Sequence, residues 1–463
     1  MSELLKYAER VWQGESTMAD YHTGLLRQQG LWEVADGIAL WPAFGNVAVC
    51  DGGDGLVFID TGDARTAKDL RDAVRRWRPK APLHTAIYSH GHIDHVFGVG
   101  PFDEEAAEAG RPRPLVVGHE ALPARFDRYT RTAGYNTVIN QRQFQNTRIS
   151  WPTSYRYPDI TYRDSLLLRR GELTFGLTHA RGETDDHTYT WVPERKLLYA
   201  GDFFIWASPN AGNPQKVQRY PLEWAAALRH MASLGAEILL SGHGVPIAGA
   251  ARISTALSDA AELLESLHDQ TVEMMNAGAR LNEILHTVRA PQHLLDKPYL
   301  KPSYDEPEFV VHNVWRLYGG WYDGNPATLK PAPENALARE LAGLAGGAQV
   351  MADRARVLAE QGELRLAGHL AETAALAAPD APTVQATRAE VFRRLEQEST
   401  STMAKGLYGW AAAESRALAT GSDTGSEVDR AATGRTQWAF GGSVAGTSGR
   451  DGAGQHGQAE GTP

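Results

Sequence analysis

Short apolar runs separated by turn residues dominate the first half of the chain. Runs of four or five apolar residues between Gly, Asp and Pro clusters predict strands, whereas the longer stretches 66–78 and 222–234 predict helices. The predicted single strands are 38–41, 46–50, 56–59, 85–88, 115–117, 189–192, 196–199 and 237–240. Residues 166–177 predict two further strands joined in a hairpin. Strands that alternate with helices in this way predict a layered α/β domain over residues 1–250.

The pattern becomes helical after residue 250. Residues 253–277 place Leu257, Leu264 and Leu267 close to helical spacing, which predicts an amphipathic helix. Residues 348–418 are rich in Ala, Leu, Glu and Arg and predict three or four short helices, for which tetratricopeptide-type packing and a plain bundle are both open. We therefore predict an all-α domain over 251–418.

Residues 419–463 change composition again, toward Gly, Ser, Thr and Asp. Such a segment cannot bury enough apolar surface to offset its ordering entropy, so we predict a disordered tail.

Composition excludes several classes of protein. The 463 residues carry a net charge of −10, which argues against nucleic acid as the partner. The single cysteine, Cys50, excludes an intrachain disulfide framework. The sequence contains neither an apolar stretch of membrane-spanning length nor a signal sequence at its start, and a cytoplasmic location is the prediction.

The strongest chemical signal directly follows the predicted strand 85–88. His90, His92, Asp94 and His95 lie within six residues, and imidazole and carboxylate groups ligate zinc and other divalent metals. His90 and His92 point the same way if the backbone is extended, because side chains repeat every two residues. Asp94 and His95 follow where a turn can direct them to a second ion.

Three later strand ends offer further ligands. His187, Asp202 and His243 each follow a turn or a strand, and several strand ends can converge on one edge of a sheet. A carboxylate has two oxygens, so Asp202 is the candidate bridge between two ions. The set predicts a hydrolase in which two cations activate water, with Asp94 and Asp202 in catalytic roles.

This pattern resembles the metallo-β-lactamase superfamily, whose H-x-H-x-D-H motif and Asp-Thr-Gly turn are matched by residues 90–95 and 60–62. The resemblance implies an αββα sandwich holding two Zn²⁺ ions. It assigns one ion to His90, His92 and His187 and the other to Asp94, His95 and His243, with Asp202 and a water bridging both. Manganese and iron stay open, because His/Asp sites accept them.

A second resemblance lies in residues 311–326, which are similar to the segment that opens the dimerisation domain of alkyl sulfatases. This likeness implies hydrolysis of alkyl or aryl sulfate esters by metal-bound water, and a homodimer formed through the C-terminal helices. Those sulfatases carry glutamates where this chain has His187 and Asp202.

Candidate contacts to the sulfate group come from two segments. Lys216 and Arg219 follow Asp202 by one loop, and an arginine can bind an anion through two parallel hydrogen bonds. Asn136 and Arg142 lie in a segment that resembles a sulfatase region near the sulfate. Three alternatives stay open: hydrolysis of a lactone, thioester or phosphate ester, oxidation of persulfides by a single iron, and a scaffold without catalysis.

Overall fold

Two β-sheets packed face to face form the centre of the computed structural model, which describes residues 2–24, 26 and 30–432. The first sheet has seven strands that are hydrogen-bonded in chain order. They are β1 (Trp32–Ala35), β2 (Ile38–Trp41), β3 (Val47–Asp51), β4 (Leu56–Ile59), β5 (Leu83–Ile87), β6 (Leu115–His119) and β7 (Ile160–Tyr162).

The second sheet has six strands in the order β13-β12-β11-β10-β9-β8. They are β8 (Ser165–Arg170), β9 (Leu173–His179), β10 (Thr188–Val192), β11 (Leu197–Tyr199), β12 (Ile238–Leu240) and β13 (Ile247–Ala248). Strands β8 to β11 pair as antiparallel neighbours, as the predicted hairpins require, and β12 joins β11 in parallel.

The helices follow in chain order. They are α1 (Glu3–Trp12), α2 (Met18–Thr23), α3 (Ala67–Trp77), α4 (Gly100–Glu108), α5 (Leu122–Arg131), α6 (Ala133–Phe144), α7 (Pro221–Ser233), α8 (Ala250–Asn276), α9 (Leu281–Thr287), α10 (Gln292–Leu295), α11 (Pro307–Gly319), α12 (Pro326–Leu329), α13 (Glu334–Ala345), α14 (Ala348–Glu360), α15 (Leu364–Ala377), α16 (Pro382–Glu398), α17 (Thr402–Thr420) and α18 (Thr424–Ala432).

Alternation along β3 shows how the layers form. Val47 and Val49 pack with residues of α3 to α5, whereas Ala48 and Cys50 face the core between the two sheets, since successive side chains point to opposite faces. Helices α7 and α8 cover the outer face of the second sheet, where the predicted stripe of α8 is buried. The expected αββα sandwich is confirmed.

Residues 348–418 form four helices, α14 to α17, where three or four were predicted. Each packs on the next, with small cores of alanine and leucine. The division at residue 250 stays a prediction, because the core of the sandwich continues through α8 to Val314 in α11. Five helices of the first half, α1, α2, α4, α5 and α6, were not predicted. The apolar residues of α6 form only a weak stripe.

Helix α17 also packs against α6. A Cβ at Gly406 would lie 2.0 Å from the carbonyl oxygen of Gln143, so the two helices approach as closely as glycine allows. The backbone N–H of Thr402 donates to the carbonyl of Ser303 at 3.0 Å. The helical region therefore supports α6 and the segment at Ser303, and both Gln143 and Ser303 line the cavity described below.

The tail was predicted to be disordered from residue 419, but its first residues are helical in the structure. Residues 419 and 420 end α17, and α18 forms a further helix in which Val428 is fully buried. Residues 433–463 lie outside the described residues. Among the helices that are described, none combines the length and the apolar character that a bilayer crossing requires.

Candidate metal centre

Asp60 organises the centre from the end of β4. Its backbone has a φ of 60°, an uncommon value for a residue other than glycine and one that clusters at functional sites. The carboxylate accepts hydrogen bonds from the Ser89 backbone N–H at 2.6 Å and from Ser89 Oγ at 2.7 Å. This pairing ties the end of β4 to the loop that follows β5.

The same carboxylate orients two imidazoles. His95 Nδ1 donates directly to Asp60 Oδ2 at 2.8 Å, and His90 Nδ1 donates to Ser89 Oγ at 2.9 Å. Each histidine therefore turns its Nε2 lone pair toward the interior of the site, as metal-ligating histidines do when a carboxylate holds the other nitrogen. Burial lowers the pKa of His90 well below its usual value, which favours the neutral form.

Two groups of side chains, called donor groups here, each bring together nitrogen or oxygen atoms that could ligate a metal ion. The first group comprises His90, His92, Glu183 and Asp202, and the second comprises Asp94, His95 and His243. Within each group the donor atoms lie within 4.8 Å of one another.

Asp202 also reaches the second group. Its Oδ2 lies 3.8 Å from His90 Nε2 and 3.1 Å from His243 Nε2, and its Oδ1 lies 3.4 Å from His95 Nε2. A Cβ at Gly242 would lie 2.0 Å from Asp202 Oδ1, so only glycine leaves room for this carboxylate. The geometry suits the bridging position that the sequence suggested.

Three of the candidate metal-ligand atoms are among the buried polar atoms that have no hydrogen-bond partner within the described residues, namely Glu183 Oε2, Asp202 Oδ1 and His95 Nε2. Buried polar atoms are rarely unpaired, because desolvation without compensation is costly. All three belong to the donor groups. Together with the His/Asp/Glu chemistry, this fits two divalent cations.

His187 lies beside the groups and belongs to neither. Its ring centroid is 4.4 Å from that of His90 and 4.2 Å from that of Phe203. Its Nε2 accepts a hydrogen bond from the backbone N–H of Asp202 at 3.1 Å, so this lone pair is engaged. Burial lowers the pKa of His187 well below its usual value, consistent with a neutral acceptor.

Glu183 occupies the place that the sequence analysis gave to His187. Arg219 and Asn210 both donate to its Oε1, and all three side chains are buried. Burial raises the pKa of Glu183, but Arg219, His92 and the hydrogen bonds to its carboxylate together lower it further, and the net pKa lies well below the usual value. The sequence analysis missed this residue, although the glutamate of the resembling sulfatases was a signal for it.

A cavity of about 240 Å³ opens onto both donor groups. Lys216 and Asn140 line it, with Lys216 Nζ 3.1 Å from Asn140 Oδ1. Burial lowers the pKa of Lys216 to about 7. Aromatic side chains form much of the remaining wall, namely Phe44, Phe97, Phe144, Trp151 and Trp206.

The other predicted substrate contacts are placed differently. Arg219 lines the cavity but binds Glu183 and the Asn210 carbonyl oxygen, the latter at 2.8 Å. Asn136 and Arg142 do not line the cavity, and the Asn136 amide donates to the Thr132 carbonyl oxygen at 3.1 Å. The face of α6 that reaches the cavity carries Asn140 and Gln143 instead.

Comparison with known families agrees with this geometry. Residues 40–243 match the profile of the metallo-beta-lactamase superfamily, and residues 280–417 match that of alkyl sulfatase dimerisation. The chain therefore contains a metallo-beta-lactamase region followed by an alkyl sulfatase dimerisation region.

Several curated relatives match most of this chain. A linear primary-alkylsulfatase from Pseudomonas sp. is 26% identical over 378 residues, covering 77% of this chain and 71% of the relative. An (R)-specific secondary-alkylsulfatase from Pseudomonas sp. is 27% identical, over 80% of this chain and 60% of the relative. An alkyl/aryl-sulfatase from Saccharomyces cerevisiae is 25% identical, over 78% and 60%. The chain thus spans between 60% and 71% of the length of these relatives.

A solved structure shows the same fold. The stereoselective inverting sec-alkylsulfatase Pisa1 from Pseudomonas sp. superposes with a TM-score of 0.77 at 23% identity, over 88% of this chain and 68% of the other. The likeness therefore extends beyond the sandwich into the helical region.

Proposed function

We propose that this protein is a dinuclear zinc hydrolase that cleaves sulfate esters of alkyl or aryl alcohols. The observation that carries the proposal is the pair of donor groups that share Asp202 at the base of one cavity. The names of the curated relatives supply the ester class.

The proposed ligand set departs from the predicted one at a single residue. His90, His92 and Glu183 hold one ion, Asp94, His95 and His243 hold the other, and Asp202 contacts both. His187 becomes a positioning residue that holds the backbone of Asp202. Two divalent cations in these places supply Lewis-acid activation of water and stabilise charge on the ester oxygens.

The chain's own side chains bind and orient the substrate. Lys216 offers N–H donors to the sulfate oxygens on one wall of the cavity, where Asn140 Oδ1 accepts from its Nζ. Arg219 acts through Glu183, which it holds with one carboxylate oxygen directed at His92. The aromatic wall receives the organic group and excludes water from it. Direct contacts from Asn136 and Arg142 stay predictions.

We also propose a homodimer formed through the C-terminal helices. Leu337, Leu341 and Leu344 follow each other at helical spacing on α13, and each is at least 41% exposed. An exposed apolar stripe of this kind marks an interaction surface. The cytoplasmic location stays a prediction.

The test is a substrate panel with metal analysis. Purified protein should release sulfate from dodecyl sulfate or an aryl sulfate, lose this activity with a chelator, and regain it most fully with zinc. Elemental analysis should find two ions per chain. Turnover of only a phosphate ester, lactone or thioester would support a hydrolase of another ester class. A single iron together with persulfide oxidation would support the oxygenase. Full turnover without metal would contradict every one of these metal-dependent functions.

A further inference from the structure

We propose that Trp206 is a specificity-determining residue that limits how long an organic chain the cavity accepts. The proposal rests on the sulfate-ester hydrolysis proposed above. It concerns the boundary between the active-site cavity and a second, smaller pocket.

Trp206 lines both spaces. The second pocket measures about 60 Å³, and among the described residues Trp206 alone appears in the walls of both it and the 240 Å³ cavity. The indole is 2% exposed. It therefore acts as a partition between a cavity that holds the candidate metal ligands and a pocket that holds none.

The backbone is adapted to place this indole. Trp206 has a φ of 55°, a true outlier for a bulky side chain, and such a conformation persists only where its surroundings hold it. Nε1 donates to the Val245 carbonyl oxygen at 2.6 Å. At Gly244, with a φ of 91°, a Cβ would lie 2.6 Å from Trp206 Cδ1, so the neighbouring backbone is also shaped around the ring.

Trp206 belongs to the apolar wall beside the second donor group. The Phe44 ring lies 4.7 Å from that of His243, and Met18 Cε is 3.2 Å from the Cβ position of Gly244. The N–H donors of Lys216 line the same cavity, and Asn140 Oδ1 accepts from one of them at 3.1 Å. A sulfate group bound by Lys216 leaves its organic chain to the apolar walls of the cavity. A chain that extends along the wall of Phe44, Met18 and Trp206 ends at the indole.

The pocket behind the indole has a suitable composition for more chain. Leu5, Ala8, Trp12 and Ile247 line it, and the ion pair between Glu9 and Arg252, at 2.6 Å, also contributes to its wall. Each additional methylene that enters an apolar pocket strengthens binding roughly fourfold. Removing the indole should therefore favour long chains specifically.

The decisive variant is Trp206→Gly, because glycine adopts a φ of 55° without strain. The experiment determines KM and kcat for linear alkyl sulfates from butyl to hexadecyl. Calorimetry then gives the affinity for the matching alkylsulfonates, which are not hydrolysed. The variant should shift the optimum to longer chains and lower the KM of the longest by about tenfold or more, the effect of two buried methylenes. Trp206→Phe should shift the profile in the same direction by less.

The matched control is Trp12→Ala, which enlarges the second pocket and leaves the partition in place. Its chain-length profile should equal that of the unmodified protein. An unchanged profile in a folded, metal-loaded Trp206→Gly variant, or an equal shift in Trp12→Ala, overturns the proposal. If no alkyl sulfate is hydrolysed at all, the proposed function fails, whereas sulfonate binding still decides the role of Trp206. If Trp206→Gly does not fold, Trp206→Phe decides it alone.

Discussion

The two donor groups share one carboxylate but are supported very differently. In the first group, Glu183 is 2% exposed and both Arg219 and Asn210 donate to one of its oxygens. In the second group, Asp94 and His243 are 15% and 18% exposed and face the cavity. Three of the four residues in the first group are therefore buried, with only His92 partly exposed, whereas only His95 is buried in the second group.

The difference shows where residues outside the donor groups matter most. A buried carboxylate beside an arginine keeps its charge only while the pair is intact, because removing one partner leaves an uncompensated buried charge. Asp94 and His243 of the second group depend less on such support, since they are partly exposed and water can solvate them. Substitutions around Glu183 should consequently cost more than comparable substitutions on the cavity side.

The largest loss of metal binding and turnover is expected for Asp202, which reaches both donor groups. Asp202→Ala should reduce bound metal at both groups and lower turnover by at least about 100-fold, the scale of losing a major electrostatic group in an active site. Elemental analysis and sulfate release measure the two quantities. Asp353→Asn, at an exposed position on α14, is the control and should change neither. Retention of both ions in Asp202→Ala would show that the carboxylate does not bridge.

The next effect separates Glu183 from His187. Glu183→Gln should weaken the binding of one of the two ions by more than about 100-fold. Residues that only support a ligand cost about 10-fold to 100-fold in metal affinity, and Glu183 is proposed as a ligand itself. His187→Gln should keep both ions, because a glutamine oxygen can still accept the Asp202 N–H. Metal titration monitored by calorimetry gives both affinities. The reverse outcome would restore the ligand set that the sequence analysis implied.

The smallest effect concerns the open side of the cavity. Burial lowers the pKa of Lys216 to about 7, so its amine is charged below that pH and becomes neutral above it. A neutral amine binds an anion less well, and KM should rise as the pH increases through 7, by at most about tenfold per pH unit. Lys216→Met, of similar size, should raise KM at low pH and flatten this dependence. A pH profile of KM that is identical in the two proteins would remove Lys216 from the anion site.

Sequence reasoning reached most of the sandwich because its signals are local. The short apolar runs, such as residues 47–50, and the turns between them are encoded within a few residues, and the structure reproduces the predicted strands to within a few residues. Helix α6 was not predicted, because its apolar pattern is weak and its position depends on contact with α17. Its placement decides that Asn140, and neither Asn136 nor Arg142, lines the cavity.

The sequence by itself determined the local cluster of His90, His92, Asp94 and His95, because four donors directly after a strand converge through backbone geometry alone. Tertiary structure decided which side chain of residues 182–187 completes the first group. That turn is irregular, so the direction of each side chain depends on distant partners, and Arg219 and Asn210 draw Glu183 inward while the Asp202 backbone engages His187. Local periodicity carries no information about such contacts, since they form only when the loops of separate strands meet.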